Sequence, residues 1–413
     1  MNNLKEYLKI IFIIFLFAWI SFFPQPIQDK YSLYVRIFFG IFLFVLILDG
    51  KCRKHIFNIQ DWAMWVFLVC LAGGIVYATD KNIAIKTYFY IVATFLLLFY
   101  IGKGIFYYEA DRNRIALVIS ICGYVVALIG VIEFYFGKNI IYERFIDNLY
   151  YRMYMGEYPR PMSTQFNPTI LGTYLLFCLP FSFYFFEKKA LFARLWGIFL
   201  SIACISVIIL TASRGVFLGF ISLLIFYFWK SRRRKILIVF MLSAALFISI
   251  CSYQKNININ RFGFKRMIMG SYDSVISKYR LDRIKMTARI LKDYPFFGIG
   301  FNHFRIRFDE YCDKKNLNEN YIFKIPDNMY LTFLSEAGVI GLIGFLIFII
   351  LLLKRGLRRF EGLMNGNKKQ MLLIALSILT GFLVNMGAYE LFYWNNPYML
   401  FCLTCGFIQG SKL

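Results

Sequence analysis

Histidine occurs only twice in the 413 residues, acids number 23 against 47 Lys and Arg, and charged residues of both signs reach just 17%. Each shortage excludes something. His55 and His303 lie in different loops, so a zinc site has too few ligands, and neither metal nor cofactor is expected. Charge is well below the roughly 25% of a soluble domain, while 60% of the chain is hydrophobic, 20% is aromatic and the mean hydropathy is +0.60. A soluble protein of this length cannot hide that much apolar surface in one core. Cysteine gives no disulfide framework either. Cys70, Cys122, Cys178, Cys204, Cys251, Cys402 and Cys405 fall in or at the ends of apolar stretches, where they act as small apolar residues, and Cys312 alone lies in a long loop. Cys402-Leu-Thr-Cys405 has redox-like spacing but sits inside an apolar stretch, far from any redox fold. Soluble, disordered and disulfide-rich secreted classes are therefore excluded. What remains is a polytopic membrane protein with a formal net charge of +24.

About 20 apolar residues make a membrane-crossing helix. Twelve such stretches are present, near 7–23, 32–49, 62–78, 84–101, 115–136, 167–186, 194–212, 214–230, 235–252, 329–353, 371–388 and 390–409. Most lack the period-2 alternation of membrane strands, so the expected fold is all-α and polytopic, with about twelve helices and one large, partly helical outer loop. Residues 1–252 are expected to hold helices one to nine with an outer loop near 137–166. Residues 253–328 form the large outer loop with a basic helix at 273–294, and 329–413 hold the last three helices. Lys5 and Lys9 precede the first stretch and no small-residue cleavage site follows it, which favours a retained helix over a signal peptide.

Short loops set the orientation. Alternate connections carry Lys51, Arg53 and Lys54; Lys103, Arg112 and Arg114; Lys188, Lys189 and Arg194; Lys230-Ser-Arg-Arg-Arg-Lys235; and Lys354, Arg355, Arg358, Arg359, Lys368 and Lys369. Both termini are therefore expected in the cytoplasm, with the basic loops fixing topology and touching anionic lipid. These clusters lie against the membrane with no separate domain to carry them, which argues against nucleic acid. The long outer loop has its own cationic excess, including Lys265, Arg266, Lys278, Arg280, Arg283, Lys285 and Arg289, and this suggests an anionic ligand at the outer face.

Several constellations could carry chemistry. In Thr211-Ala-Ser-Arg-Gly-Val-Phe-Leu-Gly219 the chain turns at the outer surface with almost no linker, and Arg214 is either a phosphate grip or a snorkelling side chain. In the loop helix, Ile276, Tyr279, Ile284, Thr287 and Leu291 mark a packed face, and Arg280 and Arg283, three apart, are neighbours. Pro295-Phe-Phe-Gly-Ile-Gly300 is a tight turn lacking the strand and third glycine of a dinucleotide fingerprint. Asp327 opens the tenth stretch, placed as a helix N-cap and also as a carboxylate able to accept a proton. Glu336, two to three turns further, reads better as a helix-packing centre than as a catalyst. Arg160, ahead of Asn167-Pro-Thr-Ile-Leu-Gly172, is another outer cation or an ordinary loop arginine.

These pieces, over roughly 158–344, resemble the O-antigen ligase and polymerase superfamily of bacterial membrane glycosyltransferases: Arg160 before Asn167–Gly172, Ser213-Arg-Gly215, Arg280 before Asp293-Tyr-Pro-Phe-Phe-Gly-Ile-Gly300, and Asp327-Asn-Met-Tyr-Leu with Glu336-Ala-Gly338. The resemblance implies an undecaprenyl-diphosphate-linked oligosaccharide as donor, used at the outer face of the bacterial inner membrane. Its sugar passes to a glycan or lipid-linked acceptor with inversion and without metal. Arg214 and Arg280 match positions implied to bind the diphosphate. A His commonly precedes the Asn where this chain has Asp327, so either Asp327 serves as base or that role lies elsewhere. Catalytic roles are thus expected for Asp327, Arg214 and Arg280, and substrate contacts for Arg160, Arg283, Asn328 and Tyr330. A repeat-unit polymerase is favoured over a ligase acting on lipid A core. Two rivals of other classes remain: a transporter or flippase of a lipid-linked substrate, which predicts internal repeats and mid-bilayer charges, and a non-catalytic envelope scaffold.

Overall fold

The computed structural model describes residues 2–48, 50–56, 61–139, 160–231, 274–312, 324–364 and 366–410. These residues are helical, with no strand among them. In chain order the helices are α1 (Asn2–Phe22), α2 (Gln25–Ile47), α3 (Gly50–Ile56), α4 (Trp62–Ala72), α5 (Lys81–Ile105), α6 (Glu109–Phe136), α7 (Pro168–Cys178), α8 (Pro180–Phe186), α9 (Leu191–Leu210), α10 (Arg214–Lys230), α11 (Ser274–Asp293), α12 (His303–Ile306), α13 (Phe308–Tyr311), α14 (Met329–Thr332), α15 (Gly338–Gly362), α16 (Asn367–Met386) and α17 (Asn395–Gly410). Among the described residues, seven helical segments are long and apolar enough to cross a membrane: Gln25–Ile47, Lys81–Ile105, Ala110–Phe136, Pro168–Phe186, Leu191–Leu210, Met329–Gly362 and Asn367–Met386. The protein is an all-helical polytopic membrane protein. The expected stretch 235–252 and most of the loop at 137–166 lie outside the described residues.

Several boundaries differ from the hydropathy reading. The stretch at 62–78 leaves the α-helix at Ala72 and ends as a 3-10 turn over Gly73–Tyr77. The last stretch begins at Asn395 rather than 390, leaving 387–394 as a linker with a short 3-10 turn at Leu391–Tyr393. Its Leu, Phe, Tyr and Trp are apolar enough to be read as membrane span, but they pack inward around a buried acid, Glu390.

The basic loops share one end of the bundle. There Arg114 bridges Glu6 at 3.0 Å, Lys230 lies 3.5 Å from Glu361, and Lys188 donates to Asn367. A fully buried pair, Lys103 Nζ to Asp61 at 2.7 Å, is completed by the Ile56 carbonyl and Gln409, so each of these two charges has its partner. The Arg160, Ser213-Arg214, Pro295–Gly300 and Asp327-Asn328 segments gather at the opposite end.

Between the ends, helices meet at glycines. On α5 and α17, Gly102 and Gly406 face each other so closely that a Cβ at Gly406 would stand 2.3 Å from the Phe99 carbonyl oxygen. On α10 and α16, Gly219 and Gly381 do the same, with a Cβ at Gly219 2.7 Å from the Gly381 oxygen. In lipid, helix association rests on close packing rather than on apolar burial, which is why small residues sit at these crossings. Phenylalanine fills the rest: Phe67 stacks on Phe348 at 5.6 Å and meets Phe333 and Phe345 at 6.1 and 5.5 Å. Gly406→Val is expected to prise α5 from α17 and lower the melting temperature in detergent. Gly40→Ala, whose Cβ would meet no atom of another helix within 4 Å, is the control expected not to lower it.

Candidate functional site

Two motifs that look separate in sequence lock together. Phe333–Ala337 forms a π-helical turn, and α15 restarts at Gly338. A π turn and a helix restart each leave backbone groups without intrahelical partners. The Pro295–Gly300 turn supplies them. Ile299 and Gly300 donate to the Ser335 and Glu336 carbonyls (both 2.9 Å), and Val339 and Ile340 donate to Pro295 and Phe296 (3.0 and 3.1 Å). The approach needs glycine: Gly298 and Gly338 have φ of +67° and +68°, and a Cβ on Gly338 would stand 2.3 Å from the Phe296 oxygen. The two glycines of the Gly298-Ile-Gly300 turn therefore serve backbone docking.

Glu336 ties the same joint. Its carboxylate accepts from the Phe304 amide at 3.1 Å and from the Tyr393 hydroxyl, which itself accepts from the Asn302 amide at 2.8 Å. This is the packing role expected for Glu336. His303 is equally structural, since its Nε2 accepts from the Asp80 amide at 3.0 Å and its Nδ1 donates to the Phe301 carbonyl at 2.8 Å.

The interlock delivers α11 to the start of α14. The buried face of α11 is Asp282, Arg283, Met286, Thr287 and Ile290, with Ile284 turned outward, so the packed stripe is rotated from the one expected. Met286 and Ile290 repeat at helical spacing too, and tertiary partners chose between the two stripes. One partner is Asp327, whose Oδ2 accepts from Arg283 Nη1 at 2.5 Å. Arg280, one turn earlier, is exposed. Asp327 is not the N-cap: it holds φ +52°, and Asn328 caps α14 by accepting from the Tyr330 and Leu331 amides at 2.9 and 3.2 Å. A side chain caps best from extended backbone, which Asn328 has and Asp327 lacks. Tyr330 spends its hydroxyl on the Leu383 carbonyl at 2.8 Å.

Arg214 is the first residue of α10 and is exposed. Ser213 precedes it as N-cap without a side-chain cap bond, so the leading amides of α10, at the positive end of the helix dipole, lack that partner. Arg160 braces this corner by donating from Nε to the Thr211 carbonyl at 2.7 Å. Ser213 also reaches Thr169, at 3.3 Å, in the first turn of α7, whose N-cap is Asn167. The linker after α16 joins this corner to Asp327: Asn328 donates to the Gly387 carbonyl at 2.8 Å, and a Cβ on Gly215 would meet Ala388 Cβ at 2.5 Å. Asn328 and Gly215 thus meet the same linker, one from beside Asp327 and the other from beside Arg214.

Backbone strain maps to the same place. Among the described residues the non-glycine positions with positive φ are Ser163, Phe166, Ala212, Asn302 and Asp327. Each lies within residues 158–344, the stretch that the motifs span. Such conformations cost about 1–3 kcal/mol and persist where surrounding structure enforces them, often at functional sites.

One acid at this end escaped sequence reasoning. Glu390 is 2% exposed and accepts from Thr332 Oγ1 at 3.0 Å. With Glu336, Asn302, Arg305, Lys324 and Trp394 it lines a cavity of about 280 Å³ beside Pro326. Burial, then the negative charges of Glu336 and Asp327, push its carboxyl well above the ordinary range. The signal was an acid inside an otherwise apolar run, Tyr389-Glu390-Leu-Phe-Tyr-Trp394, which hydropathy averages away.

The arrangement pairs an exposed cationic rim and an open helix N-terminus with buried carboxyls, a combination suited to holding a phosphorylated ligand beside a proton acceptor. No curated protein matches the chain. The family model described as O-antigen ligase matches residues 199–346, from α9 through the Arg214 corner, α11 and the interlock into α15. Over that stretch, about a third of the chain, the protein is similar to the O-antigen ligase family.

Proposed function

We propose that this protein is a membrane glycosyltransferase of the O-antigen ligase and polymerase type, working at the outer face of the bacterial inner membrane. The observation that carries this reading is the Arg214 corner: an exposed arginine on an uncapped helix N-terminus, braced by Arg160 and joined through one linker to the Arg283–Asp327 pair. Transfer from a lipid diphosphate needs the leaving-group charge stabilised in place. Arg214 and Arg280 grip the undecaprenyl diphosphate, and Arg160 and Arg283 complete its cationic surround. Asp327 holds Arg283 in register, Asn328 sets the start of α14, and Tyr330 anchors that turn to α16. The reaction is inverting and metal-independent. The acceptor is a glycan or lipid-linked saccharide, and the Asp327-Asn328 pair favours repeat-unit polymerisation over ligation to lipid A core. The chain crosses the membrane about twelve times in a GT-C-like layout, with both termini cytoplasmic and residues 253–328 outside between the bundles 1–252 and 329–413.

The test is glycan profiling of cells carrying Arg214→Ala or Arg280→Ala at wild-type protein level. Loss of long chains, or of glycan joined to its acceptor, is expected in both. Wild-type profiles in both would end the transferase reading. Movement of lipid-linked glycan across liposomes by the protein alone, without transfer, would put the flippase reading in its place. Separately, Asp327→Asn is expected to weaken the hold on Arg283 and lower the apparent affinity for the lipid-linked donor, read as a raised KM in membranes.

A further inference from the structure

The transfer needs a group to take the proton of the acceptor hydroxyl, and the structure offers two carboxylates near the linker. Asp327 is held by Arg283 at 2.5 Å and stands 35% exposed at its side chain. Glu390 is buried, lines the cavity, and among the described residues has one hydrogen-bond partner, Thr332. That partner is informative. Thr332 Oγ1 lies 3.0 Å from Glu390 Oε1 and 2.9 Å from the Asn328 carbonyl oxygen, yet a hydroxyl has one proton to donate. Thr332 can donate that proton to a charged Glu390, or donate it to the Asn328 carbonyl and accept from a protonated Glu390. The site is built to hold Glu390 in either protonation state: charged, accepting from Thr332, or neutral, donating to it.

We propose that Glu390 is the general base of this enzyme, taking the proton of the acceptor hydroxyl from within the cavity. The proposal rests on the transferase reading above. In the step, the acceptor O–H bond breaks and its proton goes to Glu390, while the acceptor oxygen bonds the anomeric carbon. The bond from that carbon to the diphosphate oxygen breaks, and its electron pair leaves with the lipid diphosphate. The cavity, at the small end of ligand pockets, admits one saccharide ring, with Trp394 and Asn302 on its walls.

The groups facing Glu390 are Glu336 of the π turn, Asp327 ahead of α14, Arg283 of α11, Tyr393 on its own linker, and Arg305 and Lys324 at the cavity. Its acidity is weakened chiefly by burial and by Glu336 and Asp327, and strengthened by Thr332 and Arg283. A base works only when deprotonated, so activity should climb with pH through the raised pKa of Glu390 and then level off.

The experiment uses the full chain in nanodiscs, with lipid-linked glycan extracted from cells lacking it as the probe, and reads kcat and KM against pH. Glu390→Gln keeps an acceptor for Thr332, so a purely structural role survives it. It is expected to lower kcat by about 10²-fold or more, with KM little changed, and to erase the rising limb. Glu390→Asp should retain a limb at reduced rate. Asp327→Asn removes a neighbouring negative charge and should move the limb to lower pH, and Thr332→Val removes a stabilising donor and should move it to higher pH. If Glu390→Gln does not fold, the opposite shifts in the latter two variants decide the matter. A wild-type limb in Glu390→Gln, a limb abolished by Asp327→Asn alone, or an unmoved limb in Thr332→Val would each overturn the proposal. Arg214→Ala runs alongside, and full activity there would defeat the transferase reading instead.

Discussion

Arg214→Ala is expected to abolish glycan transfer while leaving the protein folded. Arg214 is exposed at the head of α10, and the corner's shape comes from its neighbours: Arg160 bonded to Thr211, Ser213 against Thr169, and Gly215 pressed on Ala388. Truncating Arg214 leaves those contacts in place. On the proposed transferase reading, what is lost is a planar, permanently charged donor to the leaving diphosphate. Removing one such stabilising donor typically costs about 10²–10³ in kcat. Arg214→Lys separates two explanations. If only charge is needed, lysine restores most activity; if two oxygens must be held at once, lysine remains severely impaired. The bidentate outcome is expected here, because the uncapped amides of α10 already supply positive potential. Initial rates with extracted lipid-linked glycan, at matched protein level, check this.

Gly338→Val is expected to prevent folding. Two costs combine. The residue holds φ +68°, a conformation that costs a β-branched side chain about 1–3 kcal/mol. The new Cβ would also stand 2.3 Å from the Phe296 oxygen and 2.5 Å from the Phe297 amide nitrogen, both backbone atoms that cannot swing aside. Relief requires moving the Pro295–Gly300 turn, which breaks the four backbone hydrogen bonds tying it to 335–340. Overpacking of that kind adds about 1–3 kcal/mol more, a large share of the total stability of a domain. Gly338→Ala should be milder and still clearly destabilised. Size-exclusion profiles and melting temperatures in detergent report both, and a Gly338→Val protein that melts with the wild type would show that the interlock does not hold this end together.

Much was legible without coordinates. Helical content and membrane class follow from hydropathy, because a chain in lipid must satisfy its own backbone and does so within each helix. The sharing of one end by Arg114, Lys188, Lys230 and Arg359 follows from alternating loop charge. The corner at Ser213-Arg214 and the helix at 274–293 were readable as local turn and periodicity signals, and the O-antigen ligase match covers both.

Other features were decided only when distant segments met. Which stripe of α11 is buried depends on Asp327, more than forty residues away, and so does the choice of Arg283 over Arg280 as its ion-pair partner. Asn328 rather than Asp327 caps α14 because the ion pair and a left-handed backbone hold Asp327 out of capping geometry. The π turn at Phe333–Ala337 is stabilised by amides from Ile299 and Gly300, which no local propensity encodes. Glu390 was hidden for a general reason. Hydropathy averages over a window, so an acid flanked by Leu, Phe, Tyr and Trp is scored with its neighbours. Burial, a nearby Glu336 and a cavity give that acid its chemistry, and all three are properties of packing. By itself the sequence determined that the chain is a helical membrane protein with several arginine-bearing motifs; the tertiary structure decided which of those charges are exposed, which are spent on one another, and where a proton can be held.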